Sequence, residues 1–289
     1  MFLAATSAAS MGVRWKRLIA RSFCGIAGLV AVAGCMPSAR PATPPPANVR
    51  ELHVLTSGGF AAAFRALAVK YEAKTGVHIA IAYGPSMGDT AGAIPARLQR
   101  GEPADLVILA RSSLDRLAAS GMVRADSVVD LGLSRIALAV RAGAAAPDIS
   151  TPDKFRSALL SAKSVAWSDS ASGVYIRSVL LNRLGISRQL AVTARTIAAE
   201  PVGNVVARGD AELGMQQLSE LKPIKGIHIV GLLPESLQQV TPFSAGIVRY
   251  SPNQPDARAL VSFLKSRDAE PIIRDSGLQP APSSARATR

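Results

Sequence analysis

The pattern of apolar and polar positions predicts short strands that alternate with amphipathic helices. Apolar runs over 51–56, 77–82 and 106–110 are typical of buried strands. Between the first two runs, apolar residues recur at helical spacing; they are Phe60, Phe64, Leu67, Ala68 and Tyr71. The β-α-β-α-β-α order of this half predicts a parallel sheet with right-handed crossovers. Ligands of such sheets bind beyond the carboxyl ends of the strands.

A second set of the same units follows and predicts another α/β lobe. Long strands near 134–141 and 241–249 are expected to cross between the two lobes. The predicted fold class is therefore α/β, with two lobes joined by two crossing strands. The predicted boundaries are 51–134 plus 246–280 for lobe 1 and 135–245 for lobe 2.

The turn Tyr-Gly-Pro-Ser-Met-Gly at 83–88 is the most informative short stretch. Asp89 and Thr90 are good helix caps, and apolar residues at helical spacing follow through Leu98. This predicts Ser86 on a strand-to-helix turn, where free backbone N–H groups bind anions. The same letters spell G-x-S-x-G, the nucleophile elbow of α/β-hydrolases. Both interpretations of Ser86 remain open at this point.

The chain begins with a pattern typical of bacterial export. Basic residues precede a short apolar segment, and the run Val-Ala-Gly-Cys ending at Cys35 resembles the lipobox of bacterial lipoproteins. We therefore predict a signal peptide with a lipobox over 1–35, lipidation of Cys35 and anchoring to a membrane in the periplasm. A soluble export signal cleaved nearby is the alternative. A proline-rich linker over 36–50 and a disordered tail over 281–289 complete the predicted organisation.

Charge and residue usage narrow the class of function. The formal charge is +13, and removing the four basic residues of the leader leaves about +9 (+13 − 4). The basic residues are dispersed and aromatic residues are few, which argues against nucleic-acid binding and fits attraction of anions. His53, His78 and His228 have no metal-ligand spacing, and both cysteines lie within the first 35 residues. No metal, cofactor or internal disulfide is predicted.

Four stretches together resemble one known family. They are Ser57-Gly-Gly-Phe, Leu98-Gln-Arg-Gly-Glu-Pro-Ala-Asp-Leu-Val-Ile108, Ser172-Gly-Val-Tyr175 and Ala211-Glu-Leu-Gly214. Over 52–278 the chain resembles class II periplasmic binding proteins, in the molybdate-binding-protein-like branch of ABC importer receptors. The resemblance implies a monomeric receptor that binds a small anionic solute between its lobes and delivers it to a membrane permease.

The resemblance also implies site residues. Ser86, the turn 172–174 and Val202 match positions that hold the anion in molybdate receptors. Gly59 and Gln217 stand where that family has a serine and a tyrosine, so we expect a small organic carboxylate to bind in preference to molybdate or tungstate; the oxyanion stays as the alternative. The predicted ligand-binding residues are Ser57, Gly58, Gly59, Ser86, Arg135, Ser172, Gly173, Val174, Val202, Asn204 and Gln217.

A catalytic alternative is weighed against this receptor hypothesis. A hydrolase triad would run from Ser86 to a later histidine, and His228 is the only one. His228 alternates with isoleucines in an apparent strand, whereas a general base normally comes from a loop. Asp105 and Asp169 are interpreted as turn or capping residues. No catalytic residue is assigned, and the chain is predicted not to be an enzyme.

Overall fold

The structure, a computed structural model, describes residues 50–88, 90–198 and 200–282. The predicted signal peptide with Cys35, the linker up to residue 49 and residues 283–289 of the predicted tail lie outside the described residues. Within the described part, no helix combines the length and the apolar character needed to cross a membrane.

Two separate sheets form the framework. The first has the spatial order β11-β4-β10-β3-β1-β2; its strands are β1 (Glu51–Thr56), β2 (His78–Tyr83), β3 (Leu106–Ala110), β4 (Val129–Ser134), β10 (Thr241–Ile247) and β11 (Gln279–Pro280). The second has the order β7-β6-β8-β5-β9; its strands are β5 (Ile136–Arg141), β6 (Val165–Ser168), β7 (Ala194–Ile197), β8 (Leu213–Gln217) and β9 (Ile227–Leu232). The predicted two-lobed α/β fold is thus observed.

Strand direction decides where the loops meet. β1 runs parallel to β2 and β3, and β6 runs parallel to β7 and β8, whereas β10 and β5 are antiparallel to their neighbours. The chain passes between the sheets after Ser134 and returns before Thr241. β10 therefore joins the first sheet earlier than the predicted return at residue 246. The carboxyl ends of the parallel strands carry the loops considered below.

Helices cover both faces of each sheet. They are α1 (Gly58–Thr75), α2 (Ile94–Gln99), α3 (Arg111–Ala119), α4 (Pro152–Ser161), α5 (Ala171–Tyr175), α6 (Leu181–Arg183), α7 (Ser187–Leu190), α8 (Val202–Arg208), α9 (Leu218–Leu221), α10 (Gln254–Leu264) and α11 (Glu270–Asp275). The apolar stripe predicted for α1 is buried against the first sheet together with Leu260 of α10 and Ile273 of α11. Each such buried side chain contributes roughly 1.5–3 kcal/mol. In the second sheet, Phe155 and Leu159 of α4 cover one face, and Val202 and Val206 of α8 cover the other.

One helix boundary differs from the prediction. The helix after the turn at 83–88 begins only at Ile94, since residues 90–93 form turns. α3 begins at Arg111, directly after β3, so the serines that follow Arg111 lie inside the helix. Residues 171–183 form α5, a π-helical turn over Ile176–Leu180, and α6 in succession.

Candidate functional site

The first loop of the site joins β1 to α1. Ser57 is buried, and its Oγ atom has no hydrogen-bond partner among the described residues. The amides of Gly58 and Gly59 belong to the first turn of α1, where N–H groups have no intrahelical partner. A hydroxyl and helix-start amides of this kind are donors that suit an anionic ligand.

Gly59 has a packing reason to be glycine. A Cβ atom on Gly59 would lie 2.0 Å from Cζ of Phe243, whose ring is buried in the first lobe. The serine of molybdate receptors cannot occupy this position while Phe243 is present. Position 59 therefore requires glycine, and the hydroxyl of this turn belongs to Ser57.

Ser86 lies in the loop after β2 and is fully buried. The amide of Ala110, at the end of β3, donates a hydrogen bond to Ser86 Oγ at 3.0 Å. Because α2 starts at Ile94, the prediction that Ser86 lies directly at a helix start is wrong. The bond from Ala110 uses only a lone pair of Ser86 Oγ, so the hydroxyl hydrogen remains free to donate.

The loop between β6 and α5 holds two buried hydroxyl groups. Ser172 Oγ lies 3.3 Å from Ser168 Oγ, and both residues are buried. A Cβ atom on Gly173 would lie 1.5 Å from the carbonyl oxygen of Ser168 and 3.2 Å from Cδ1 of Trp167. Gly173 is therefore required for α5 to pack against the end of β6. Val174 follows it and lines a cavity of about 340 Å³ between the lobes.

The remaining predicted ligands of the second lobe have partners within the protein. The amide of Val202 donates to Gln216 Oε1 at 2.9 Å, and the amide of Asn204 donates to the carbonyl of Pro201. Gln217 is buried; its Nε2 donates to Thr241 Oγ1 at 3.0 Å, while its Oε1 has no partner among the described residues.

Arg135 is placed elsewhere. Its guanidinium forms two hydrogen bonds of 2.8 Å with the carboxylate of Glu235. Arg135 lines a separate small cavity with Leu133 and Leu218. Of the predicted ligand-binding residues, Gly58 and Val174 line cavities between the lobes, and Arg135 lines neither of these cavities.

A cavity of about 540 Å³ opens between the lobes, a volume within the range of roughly 300–1,000 Å³ that small-molecule sites occupy. Its lining comes from both lobes and is Gly58, Tyr83, Gly84, Pro85, Thr90, Gly92, Ser168, Asp169, Ser170, Ile197, Ala198, Glu200, Pro201, Gln216 and Glu220. Three acidic residues are in this set, and two of them, Asp169 and Glu220, have raised pKa values.

Burial is the main cause of both shifts. Burial raises the pKa of Asp169, and a hydrogen bond from its own backbone partly opposes this rise. Asp169 Oδ2 has no hydrogen-bond partner among the described residues. Burial raises the pKa of Glu220 to about 7, and the charge of Asp169 adds to this, while a hydrogen bond from Gln216 opposes it. Asp169 does not cap α5, since that helix starts at Ala171 after Ser170.

Sequence reasoning missed Glu220. It stands three residues after Gln217, the last residue of β8, where a glutamate is usually a solvated surface residue. The only signal was its position at the carboxyl end of a strand. The first lobe covers this carboxyl group, and neither residue spacing nor composition reveals that contact.

The hydrolase alternative receives no geometric support. Ser86 Oγ is bonded to the Ala110 amide, and His228 lies exposed on β9, the edge strand of the second sheet. Among the described residues, no hydrogen bond joins Ser86 to His228.

Comparison with known proteins identifies the relatives of this chain. The family described as "Bacterial extracellular solute-binding protein" matches residues 52–279. A curated protein of Pseudomonas sp. named aconitate isomerase is 54% identical over 235 residues, which is 81% of this chain and 90% of that protein.

Solved structures with the same fold are more distant in sequence. The periplasmic molybdate-binding protein of Azotobacter vinelandii has a TM-score of 0.66 at 22% identity and covers 80% of this chain and 100% of its own. The sulfate-binding protein SubI from Mycobacterium tuberculosis has a TM-score of 0.61 at 19% identity, covering 82% and 89%. PEB3 bound to L-phospholactate has a TM-score of 0.61 at 15% identity, covering 79% and 99%.

These findings confirm the predicted periplasmic-binding-protein fold and the predicted membership of the solute-binding proteins, and molybdate-binding proteins are among the structures that share the fold. They also correct one prediction. The chain was expected not to be an enzyme, and this is contradicted because a protein with 54% identity across 90% of its length carries the name of an isomerase.

Proposed function

The chain belongs to the bacterial extracellular solute-binding protein family, and from this premise we propose that it is an isomerase that interconverts the cis and trans forms of aconitate. The observation that carries the proposal is the 54% identity with a protein named for that activity, spread over nearly the whole of that protein. Because one fold hosts many functions, the site must also suit the chemistry.

The cleft suits a small carboxylate. The helix-start amides of Gly58 and Gly59 and the hydroxyls of Ser57, Ser86 and Ser172 supply neutral donors. Buried atoms without protein partners, Ser57 Oγ among them, are expected where a polar ligand completes the hydrogen bonding. Arg111 lines the neighbouring 340 Å³ cavity, where its guanidinium donates to Asp115 and Asp130.

The chemistry is a proton shift along carbon. Aconitate carries a methylene group next to a carbon–carbon double bond that is conjugated with carboxylates, so loss of a methylene proton gives a delocalised carbanion. Return of the proton to the former vinylic carbon moves the double bond by one position. One C–H bond breaks and one forms, and no oxidant or reductant is consumed. Such a reaction needs a general base whose pKa lies near the working pH.

The activity is tested with the purified full-length protein. We expect it to convert trans-aconitate to a constant cis/trans ratio, followed by the vinylic proton in ¹H NMR, and to reach the same ratio from the cis form. If neither isomer changes while a ligand-induced thermal shift shows that aconitate binds, the protein is a carboxylate receptor and the isomerase proposal is wrong.

We propose further that carboxylates bind more tightly than molybdate. The position of Phe243 excludes a serine at 59, and Gln217 replaces the tyrosine of molybdate receptors, so two hydroxyls of an oxyanion site are absent. A ligand at 100 times its dissociation constant stabilises the protein by about 2.7 kcal/mol. A large shift in melting temperature with molybdate and none with trans-aconitate would contradict this preference.

The cellular location of the protein and its membrane anchor are also proposed here from the family and the sequence. Proteins of this family act outside the cytoplasm and work with a membrane permease. We propose periplasmic location with a lipid on Cys35. Unchanged processing and membrane association after Cys35→Ala would exclude the lipid anchor.

A further inference from the structure

Glu220 lies where the two lobes contact each other. It lies in α9, directly after β8 of the second sheet, and it lines the 540 Å³ cavity with Gln216 and Asp169. The preceding residue, Ser219, donates a hydrogen bond of 2.7 Å from Oγ to the carbonyl of Gly59 in the first turn of α1. This bond crosses between the lobes and fixes α9 against the start of α1.

The glycine at position 58 makes room for the carboxyl group. A Cβ atom there would lie 2.1 Å from Oε1 and 3.0 Å from Cδ of Glu220. The carboxyl group therefore occupies the space that any other side chain at position 58 would need. It lies against the turn whose free amides and Ser57 hydroxyl are proposed above to bind substrate carboxylates.

Gln216 influences the ionisation of the carboxyl group. The Oε1 atom of Gln216 accepts the Val202 amide at 2.9 Å, which leaves its Nε2 to interact with Glu220. This interaction favours the carboxylate and lowers the pKa of Glu220 without supplying a charge.

Two other acidic residues line the cavity with Glu220. Glu200 accepts two hydrogen bonds from Arg208, which lower its pKa. Asp169 has a raised pKa and adds negative charge, and Tyr83 contributes its ring from β2. The first turn of α1 carries no acidic residue. With a pKa of about 7, Glu220 is present both as a base and as an acid at neutral pH.

We propose that Glu220 is the catalytic base of the isomerisation: its carboxylate removes the methylene proton of bound aconitate, and the resulting carboxyl group donates a proton to the former vinylic carbon, with exchange against solvent between the two steps. The electron pair of the broken C–H bond enters the conjugated system, and the electron pair of the new C–H bond leaves it from the other end. The carboxyl group is unchanged after one turnover. This inference rests on the proposed function, because it requires aconitate as the substrate.

The test compares Glu220→Gln with Glu270→Gln, a matched change in the exposed helix α11, where Glu270 pairs with Arg274. We expect Glu220→Gln to lower kcat for isomerisation by roughly 10²–10⁴-fold, the range typical of general bases, and Glu270→Gln to keep the wild-type rate. In deuterium oxide, Glu220→Gln should also stop exchange of the methylene protons of trans-aconitate, while the ligand-induced thermal shift persists.

The outcomes separate the two proposals. If the wild type isomerises aconitate and Glu220→Gln keeps a rate within tenfold of it, Glu220 is not the base and the isomerase proposal stands. Loss of activity in Asp169→Asn with retention in Glu220→Gln would assign the role to Asp169 instead. A wild type that leaves both isomers unchanged overturns the isomerase function and this inference together. If Glu220→Gln fails to fold, Glu220→Ala is used, and a rate within tenfold of wild type in that variant would overturn the assignment.

Discussion

The carboxyl group of Glu220 in the second lobe packs directly against Gly58 in the first lobe, since a Cβ atom at position 58 would lie 2.1 Å from the carboxylate oxygen of Glu220. The carboxyl group is the end of a flexible side chain and can move aside, whereas the backbone of α1 cannot. This relationship allows the position of the proposed base to be changed without altering the residue itself.

Gly58→Ala should therefore lower kcat by tenfold or more with little loss of stability. The displaced carboxyl group no longer faces the substrate, while alanine in a helix gains up to about 1 kcal/mol over glycine. Steady-state kinetics and urea unfolding measure the two effects. Wild-type kcat in this variant would show that the position of Glu220 does not matter.

Gly59→Ala is the matched neighbour and should behave in the opposite manner. Its Cβ atom would meet the buried ring of Phe243 at 2.0 Å, so the ring or the helix must shift. Overpacking of this kind costs about 1–3 kcal/mol. The urea midpoint should fall, and a midpoint equal to that of Gly58→Ala would contradict the packing argument.

The ionisation of Glu220 should be visible in the pH dependence of stability. The pKa of Glu220 is near 4.5 when the chain is unfolded and about 7 in the folded protein. The folded state thus holds the proton more tightly, and stability falls as pH rises between these two values, by up to about 3 kcal/mol. Glu220→Gln should remove this loss: it should be more stable than wild type at pH 8 and equal to it at pH 4. If the difference in melting temperature between Glu220→Gln and wild type is the same at pH 4 and at pH 8, this expectation is wrong.

The same group should shape the pH profile of activity. A base must be ionised, so kcat/KM should rise with pH through an apparent pKa near 7 in the free enzyme. In Gly58→Ala the carboxyl group moves toward solvent, and the acidic limb of the profile should shift to lower pH. An acidic limb at the same pH in both proteins would assign it to another group.

Two buried serines should respond differently to removal of the hydroxyl. Ser57 Oγ has no protein partner among the described residues, so Ser57→Ala should raise KM tenfold to a hundredfold, the equivalent of about 1.5–3 kcal/mol for a bond to a charged group, and leave stability unchanged. Ser86→Ala leaves the Ala110 amide without its acceptor and should also destabilise the protein by about 1–3 kcal/mol. Equal melting temperatures for the two variants would contradict this distinction.

Much of the fold followed from patterns that are local in sequence. Helical spacing from Phe60 to Tyr71 predicted the buried face of α1, and strand alternation with turn chemistry placed Ser57 and Ser86 at the carboxyl ends of strands, where they are found. These properties depend on residues that are close together in the sequence and on the spacing of apolar and polar side chains, both of which can be read from the sequence. The start of α2 was misplaced because Thr90 is a good cap but the chain makes further turns before Ile94.

The site was less predictable because its chemistry depends on contacts between distant segments. Arg135 was expected to meet an anion, but Glu235, one hundred residues away, already binds it. No sequence pattern indicates that Glu220 packs against the first lobe. Its carboxyl group lies against Gly58, and the hydrogen bond that joins the lobes beside it runs from Ser219 to the carbonyl of Gly59. A pKa shift is a property of that three-dimensional surrounding and has no counterpart in residue spacing.

The packing of Trp167 against the loop that begins at Ser168 gives the cleft an optical reporter. The chain has two tryptophans, and the other, Trp15, lies within the predicted signal peptide, so a processed protein would emit from Trp167 alone. Its indole donates to Thr196 and lies beside Gly173, one residue from the Ser168–Ser172 hydroxyl pair. A ligand that engages those hydroxyls would change the surroundings of the indole, so that intrinsic fluorescence follows occupancy of the cleft without any added label.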